Sequence, residues 1–339
     1  MSRSFALFLC LGLALLTGCS RSGPDTGAAP SGGAPAGKRL TIAFMPKSKG
    51  NGYFVSCKQG ADQAAKDLGA ELIFDGPVSP DPAKQNEIIE NWITLGVDVI
   101  AVACENKDGI STALKRAKDK GIKIVTFDSD AEPAARDFFV NQATPEGIGN
   151  ALMDEAARLC GGTGEFAIIT ASLTAQNMIE WQKFIEARRM AKHPGMKMVA
   201  LRPCDDLKDK AQAEATTLLG AYPELKLLMN ICSPAVPGAA EAVKQAGKAG
   251  KVKVIGLGLP NENRRYLKDG TTDTVILWKT VDLGYLTVQA AAALAKGELK
   301  AGATSFKGGK LGEFRIVGDN ILLGEPFKFT KENIDQFDF

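Results

Sequence analysis

The sequence predicts an α/β protein built on two open, mainly parallel sheets, and three observations carry that expectation. Short runs rich in Ile, Val and Leu alternate with longer amphipathic segments along almost the whole chain. That βαβα order places helices on both faces of a parallel sheet. Ten candidate strands exceed the usual size of one open sheet. Finally, the candidate strands at 123–127 and 138–140 follow each other without a full helix between them and lead into Asn141-Gln142-Ala143-Thr144, where the chain is expected to cross between lobes. A (β/α)8 barrel alternates in the same way; the short connection and the surplus strands fit its eightfold closure poorly.

In chain order, the first feature is an apolar run from Phe5 to Leu16 behind a single Arg3. It is too short to span a bilayer comfortably and reads as the apolar region of an export signal. It ends in Leu16-Thr17-Gly18-Cys19, which resembles the bacterial lipobox, where a small residue precedes a cysteine that takes lipid and becomes the mature N-terminus. Residues 1–18 are therefore expected to be a lipoprotein signal peptide and Cys19 the anchor. The alternative is an ordinary cleaved signal with a chance cysteine. Residues 19–37 are almost all Gly, Ala, Pro, Ser and Thr after the cysteine, a composition that buries no core and forms a flexible tether.

Residues 38–339 are long enough for two lobes with separate cores. Strands are expected at 40–45, 71–74, 99–103, 123–127, 138–140, 165–169, 197–201, 225–230, 252–257 and 274–277. Segments such as 55–68, 82–95, 109–120, 145–159 and 176–191 carry helical apolar spacing. An apolar content of 45% with 24% charged residues is that of an ordinary globular protein. A net charge of +2 with both signs interspersed gives no basic stripe for nucleic acid.

Enzyme chemistry finds little support. His193 is the only histidine, which argues against a His-based triad or a multi-imidazole metal site. Of seven cysteines, Cys10 leaves with the signal and Cys19 takes lipid, leaving Cys57, Cys104, Cys160, Cys204 and Cys232 without metal-ligand spacing. Five is odd, so at least one thiol is free or pairs between molecules; most are expected to be small buried hydrophobes. No GxxxxGK[ST] phosphate loop occurs, and Gly256-Leu257-Gly258-Leu259-Pro260 lacks the dinucleotide spacing. Lys47 near Asp128 is the one pair suggesting Schiff-base chemistry. Neither a metal nor a cofactor is expected.

Ligands of open α/β sheets bind beyond the carboxyl ends of the strands. There the chain places Pro46 to Phe54, Cys104-Glu105-Asn106, Asp128-Ser129-Asp130, Thr170-Ala171-Ser172 with Gln176-Asn177, Asn230 to Ser233, Gly258 to Asn261, and Trp278-Lys279. Carboxylates and amides that take paired hydroxyls, together with aromatic rings for C–H faces, suit a neutral polyhydroxylated ligand. Each residue also has a purely structural reading: Gly50 and Gly52 as turn formers, Asp128 as a helix cap, Trp278 as a core ring.

Ile42 to Lys47 with Gly50-Asn51-Gly52-Tyr53-Phe54, Asp75-Gly76-Pro77, Thr126 to Asp130, Ala221 to Leu225, Gly256 to Pro260 and the closing Asn333 to Phe337 resemble the ribose-type periplasmic sugar-binding proteins of ABC importers (periplasmic binding protein type I), closest to the rhamnose-binding and autoinducer-2-binding branch. The resemblance runs from about Lys38 to the C-terminus. It implies two Rossmann-like lobes joined by three hinge crossings, an N-terminal lobe of 38–140 plus 279–312 and a C-terminal lobe of 141–278 plus 313–339. It further implies a monomer without cofactor in the periplasm or cell envelope, held to a membrane only through its lipid. Such a protein captures a small monosaccharide (rhamnose-like, a pentose or a related sugar) and delivers it to a permease and its ATPase. Carried over by position, Lys47, Asn51, Tyr53 and Phe54 form the first-lobe wall and Asp128 takes ligand hydroxyls. Gln176, Asn177, Ser233, Gly258 and Trp278 touch ligand from the second lobe and hinge.

The sequence departs from the autoinducer-2 branch at Ala175, where an acid is expected, at Ile231-Cys232, where a Pro is expected, and at Lys279, where an acid or amide is expected. The alternatives are therefore an autoinducer-2 or sugar-acid binder, with Lys279 facing either an anionic ligand or solvent, and a surface sugar receptor for a sensor kinase. Repressors sharing these lobes need a helix-turn-helix where this chain has its export signal.

Overall fold

In both halves of the protein the strand order is 2-1-3-4-5, the doubly wound order whose switch point lies between its first and third strands. The computed structural model describes residues 38–339; the expected signal peptide, tether and lipidated Cys19 lie outside them. The first half runs β1 (Thr41–Met45), α1 (Gly52–Leu68), β2 (Glu71–Phe74), α2 (Pro82–Leu95), β3 (Val99–Val102), α3 (Lys107–Asp119), β4 (Lys123–Phe127) and β5 (Phe138–Asn141). The second runs α4 (Pro145–Cys160), β6 (Gly164–Thr170), α5 (Gln176–Lys192), β7 (Met196–Pro203), α6 (Lys208–Ala221), β8 (Leu225–Asn230), α7 (Ala235–Gln245), β9 (Lys253–Leu257), α8 (Pro260–Asp269) and β10 (Thr274–Leu277). The chain then returns through α9 (Thr280–Ala295), β11 (Ser305–Lys307), β12 (Glu313–Val317) and β13 (Asn320–Leu322), and ends with β14 (Phe327–Phe329).

One sheet has the order β11-β12-β13-β5-β4-β3-β1-β2 and the other β14-β10-β9-β8-β6-β7. The α/β class with two sheets is as expected. Central strands such as Val99-Ile100-Ala101-Val102 are buried on both faces, which is why they appear in sequence as unbroken apolar runs. Helix ends follow local chemistry. Asp81 precedes Pro82 and accepts from the Lys84 N–H, and Gly96 closes the same helix at φ 66°.

The lobe boundary needs correction. Residues 313–322, expected in the C-terminal lobe, form β12 and β13 and extend the first sheet, β13 pairing in parallel with β5. The third crossing therefore lies between Leu322 and Phe327. The other two lie after Asn141 and at Trp278-Lys279. Among the described residues no helix is long and apolar enough to cross a membrane, and the five cysteines are unpaired, with Cys160 alone half-buried.

The last strand is pinned to the second lobe by Glu155 on α4. Its carboxylate accepts from Lys328 Nζ at 2.8 Å, Thr274 Oγ1 at 2.6 Å and Arg158 Nη2 at 2.7 Å. Burial alone would raise its pKa; the bonds from Arg158, Lys328 and Thr274 outweigh burial and bring it down to about 2. A depressed carboxylate stabilises the fold above its unfolded pKa and loses that contribution as pH falls through the folded one. Wild-type melting temperature is thus expected to fall more steeply than that of Glu155→Gln between about pH 4.5 and 2. Parallel pH–melting curves by circular dichroism would refute this.

Candidate functional site

The carboxyl ends of the two sheets face each other across a cavity of about 40 Å³. The residues beyond β1, β3, β6 and β8 contribute to its wall, so both switch points open onto it. Asn51 shows how local structure sets the site. As N-cap of α1 its side-chain oxygen accepts from the Tyr53 N–H at 2.9 Å. The same oxygen accepts from Ser233 Oγ at 3.2 Å, and its Nδ2 donates to Asp206 Oδ2 at 2.6 Å. Ser233 and Asp206 belong to the second half, so one capping residue ties the lobes together.

Two further bonds cross the cleft. Lys47 Nζ donates to Asn177 Oδ1 at 3.2 Å and lies 3.8 Å from Asp128 Oδ2. Trp278 Nε1 donates to the Tyr53 hydroxyl at 2.8 Å. The lobes are therefore closed on each other. The Tyr53 ring stands edge-on to both Phe54 and Trp278, with centroids 5.0 and 6.1 Å away, and Trp181 lies 6.2 Å from Trp278. Such rings present flat apolar faces at fixed orientation.

Asp128, Asp205 and Asp206 are the non-glycine residues with positive φ among those described, at 60°, 51° and 57°. Asp128 and Asp206 line the cavity. Left-handed backbone at non-glycine residues costs free energy and clusters at ligand clamps. Burial is the main influence on the carboxyls of Asp128, Asp206 and Glu105 and raises all three pKa values, against a smaller opposing pull from the Lys47 ammonium at Asp128 and Glu105 and from the Asn51 amide, then Lys47, at Asp206. Burial likewise pushes the Tyr53 phenol up, so it stays protonated at neutral pH.

Of the residues expected at the site, Lys47, Asn51, Tyr53, Phe54, Asp128, Asn177, Ser233 and Trp278 line this cavity. Gln176 does not. It starts α5 facing an adjoining groove and donates to Glu180 Oε1 at 3.1 Å, because neighbouring helical residues point about 100° apart. Gly258 does not either: a Cβ there would sit 2.6 Å from Asn263 Nδ2, so the position serves packing of β9 on α8. Lys279 is exposed and lines a separate hinge groove with Asp282 and Glu325, which removes it as a partner for an anionic ligand in the cavity.

The strand-end segments take in Glu105, Ala171, Ile231 and Cys232, which line the cavity too, but they do not reach Asp206 or the apolar side chains of Met178, Trp181, Leu257 and Leu277. Glu105 follows β3, where the strand-end rule does point. Trp181, four residues beyond Asn177, lies on the same face of α5, a spacing readable once Asn177 is placed.

A family model described as a periplasmic binding protein domain matches residues 42–299. The D-ribose/D-allose-binding protein of Pseudomonas aeruginosa is 31% identical over 238 residues, 68% of this chain and 74% of that protein. The ribose import binding protein RbsB of Bacillus subtilis is 26% identical over 301 residues, 88% and 95% of the two chains. Among solved structures, an ABC transporter solute binding protein from Clostridium phytofermentas with bound L-rhamnose superposes with a TM-score of 0.84 at 31% identity, covering 88% of this chain and 98% of that one. LsrB from Clostridium saccharobutylicum in complex with AI-2 gives 0.85 at 25% identity, over 88% and 100%. With the model spanning most of the chain and relatives sharing both lobes, the chain belongs to the periplasmic binding protein family.

Proposed function

We propose that this protein captures a small neutral sugar, a deoxyhexose or a pentose, between its lobes and presents it to the permease of an ABC importer powered by an ATPase. The observation that carries this is the closed cavity, where buried carboxylates and amides stand beside the Tyr53, Phe54 and Trp278 rings. The names of the relatives, which bind ribose, allose or L-rhamnose, support the same class. The apolar positions Ala175, Ile231 and Cys232 suit a methyl group or ring C–H face better than the extra hydroxyls of autoinducer-2. Ligand bridging both lobes shifts an open–closed equilibrium toward closure; no covalent step is involved. Cys19 is the lipid anchor that keeps the protein at the envelope membrane.

Thermal-shift titration against aldoses, deoxysugars, sugar alcohols and autoinducer-2 tests the reading. Ligand at a hundred times its Kd adds about 2.7 kcal/mol of stability, so a clear rise in melting temperature with a deoxyhexose or pentose is expected. No response to any sugar would overturn it. In cells, Cys19→Ala is expected to release the protein from the membrane fraction, and wholly membrane-bound variant would remove the anchor.

A further inference from the structure

Glu105 is 7% exposed and its carboxylate has no hydrogen bond or ion pair among the described residues. Its backbone is fixed nonetheless: the Glu105 N–H donates to Gln85 Oε1 at 3.0 Å, and Gln85 Nε2 donates to the Ala103 and Pro46 carbonyls at 2.8 and 3.2 Å. One fully buried amide thus holds the ends of β1 and β3 together and sets Glu105 on the cavity wall. The other charged groups of the wall are engaged, Lys47 with Asn177 and Asp128, and Asp206 with Asn51. Among the charged residues lining the cavity, Glu105 alone has a carboxylate with no hydrogen bond or ion pair among the described residues.

A buried carboxylate without partners is costly, and the cost is relieved by donors or by positive charge. The wall already carries three carboxylates, Glu105, Asp128 and Asp206, against the single ammonium of Lys47. A ligand carboxylate would add a fourth negative charge in a site shielded from water, where like charges repel strongly. We propose that Glu105 is the residue that sets ligand choice by charge: the ligand group facing it is a donor, a hydroxyl pair or a protonated amine, and sugar acids are refused. This rests on the sugar-binding reading above and names its substrate class more narrowly.

Calorimetry on the protein with D-ribose, D-allose, L-rhamnose and D-arabinose identifies the neutral sugars that bind, and each is then compared with its aldonate and its amino-deoxy counterpart. The wild type is expected to bind the amino form at least as tightly as the neutral sugar and the aldonate at least a hundredfold more weakly. Glu105→Gln keeps the volume and removes the charge. It is expected to weaken the neutral sugar at least tenfold, to weaken the amino form more, and to narrow the penalty on the aldonate. An aldonate that binds the wild type as well as its neutral parent overturns the proposal without any variant. So does Glu105→Gln with an unchanged melting temperature and unchanged order of affinities. If none of the neutral, amino or acidic sugars binds the wild type, the sugar reading itself fails and this proposal with it; binding indifferent to Glu105 sinks only the proposal.

Discussion

Asp128→Ala is expected to weaken ligand binding by at least about 2 kcal/mol, the usual cost of losing a charged hydrogen-bonding partner and about thirtyfold in affinity. Asp128 is 5% exposed, directly follows β4, lines the cavity, and stands 3.8 Å from the Lys47 ammonium. Two effects combine in the alanine variant. The ligand loses an acceptor, and the buried Lys47 ammonium loses the carboxylate it pairs with at 3.8 Å while keeping its bond to Asn177. A third effect acts on the fold: at φ 60° alanine is strained, at a cost of roughly 1–2 kcal/mol. Asp128→Asn separates them, because asparagine tolerates the left-handed region and keeps one carbonyl acceptor. Asn is expected to retain most of the stability and to lose most of the affinity. Unchanged affinity of both variants by calorimetry would take Asp128 out of the site.

The parts of this architecture that the chain spells out are those where burial is deep and two-sided. Strands such as β3 and β4 lie between helix layers, so their residues are continuous apolar runs, and their carboxyl ends locate Lys47, Asp128 and Ser233. The strands after α9 are different. β11 and β13 have three residues each and sit toward the edge of the first sheet with exposed or half-exposed neighbours, so neither composition nor period marks them. That is why the third crossing was expected about ten residues too early. Asp206 escapes for a related reason. It lies past β7, an edge strand, and reaches the cavity only because Asp205 and Asp206 both adopt positive φ and turn the chain inward. Asp-Asp is a turn signal, but nothing in one sequence says which way such a turn points. Asn177 and Gln176 show the limit at one residue: the right segment is legible, while its helical phase at the first turn is set by how α5 packs.

Gly60→Ala is expected to destabilise the protein by about 3 kcal/mol or more, the upper end of what overpacking costs. A Cβ on Gly60 would lie 1.7 Å from the Val281 carbonyl oxygen and 2.9 Å from the Tyr285 nitrogen, and one on Gly284 would lie 1.8 Å from the Cys57 carbonyl oxygen. The obstacle on each side is main chain, which cannot swing away as a side chain does, so α1 and α9 would have to separate. Their contact is further fixed by the Ser56 and Thr280 hydroxyls 2.5 Å apart. Because α1 presents Asn51, Tyr53 and Phe54 at its start and α9 begins two residues after Trp278, separating them also disturbs the Trp278–Tyr53 bond, and ligand affinity is expected to fall along with stability. Gly220→Ala is the control. Gly220 is exposed within α6 with nothing within 4 Å of its Cβ position, so there alanine is expected to leave stability unchanged or raise it by up to about 1 kcal/mol through helix propensity. Urea denaturation of both variants separates the two causes: a large loss at Gly60 with none at Gly220 assigns the effect to the helix crossing, whereas near wild-type stability of Gly60→Ala would mean that α1 and α9 do not approach this closely in solution.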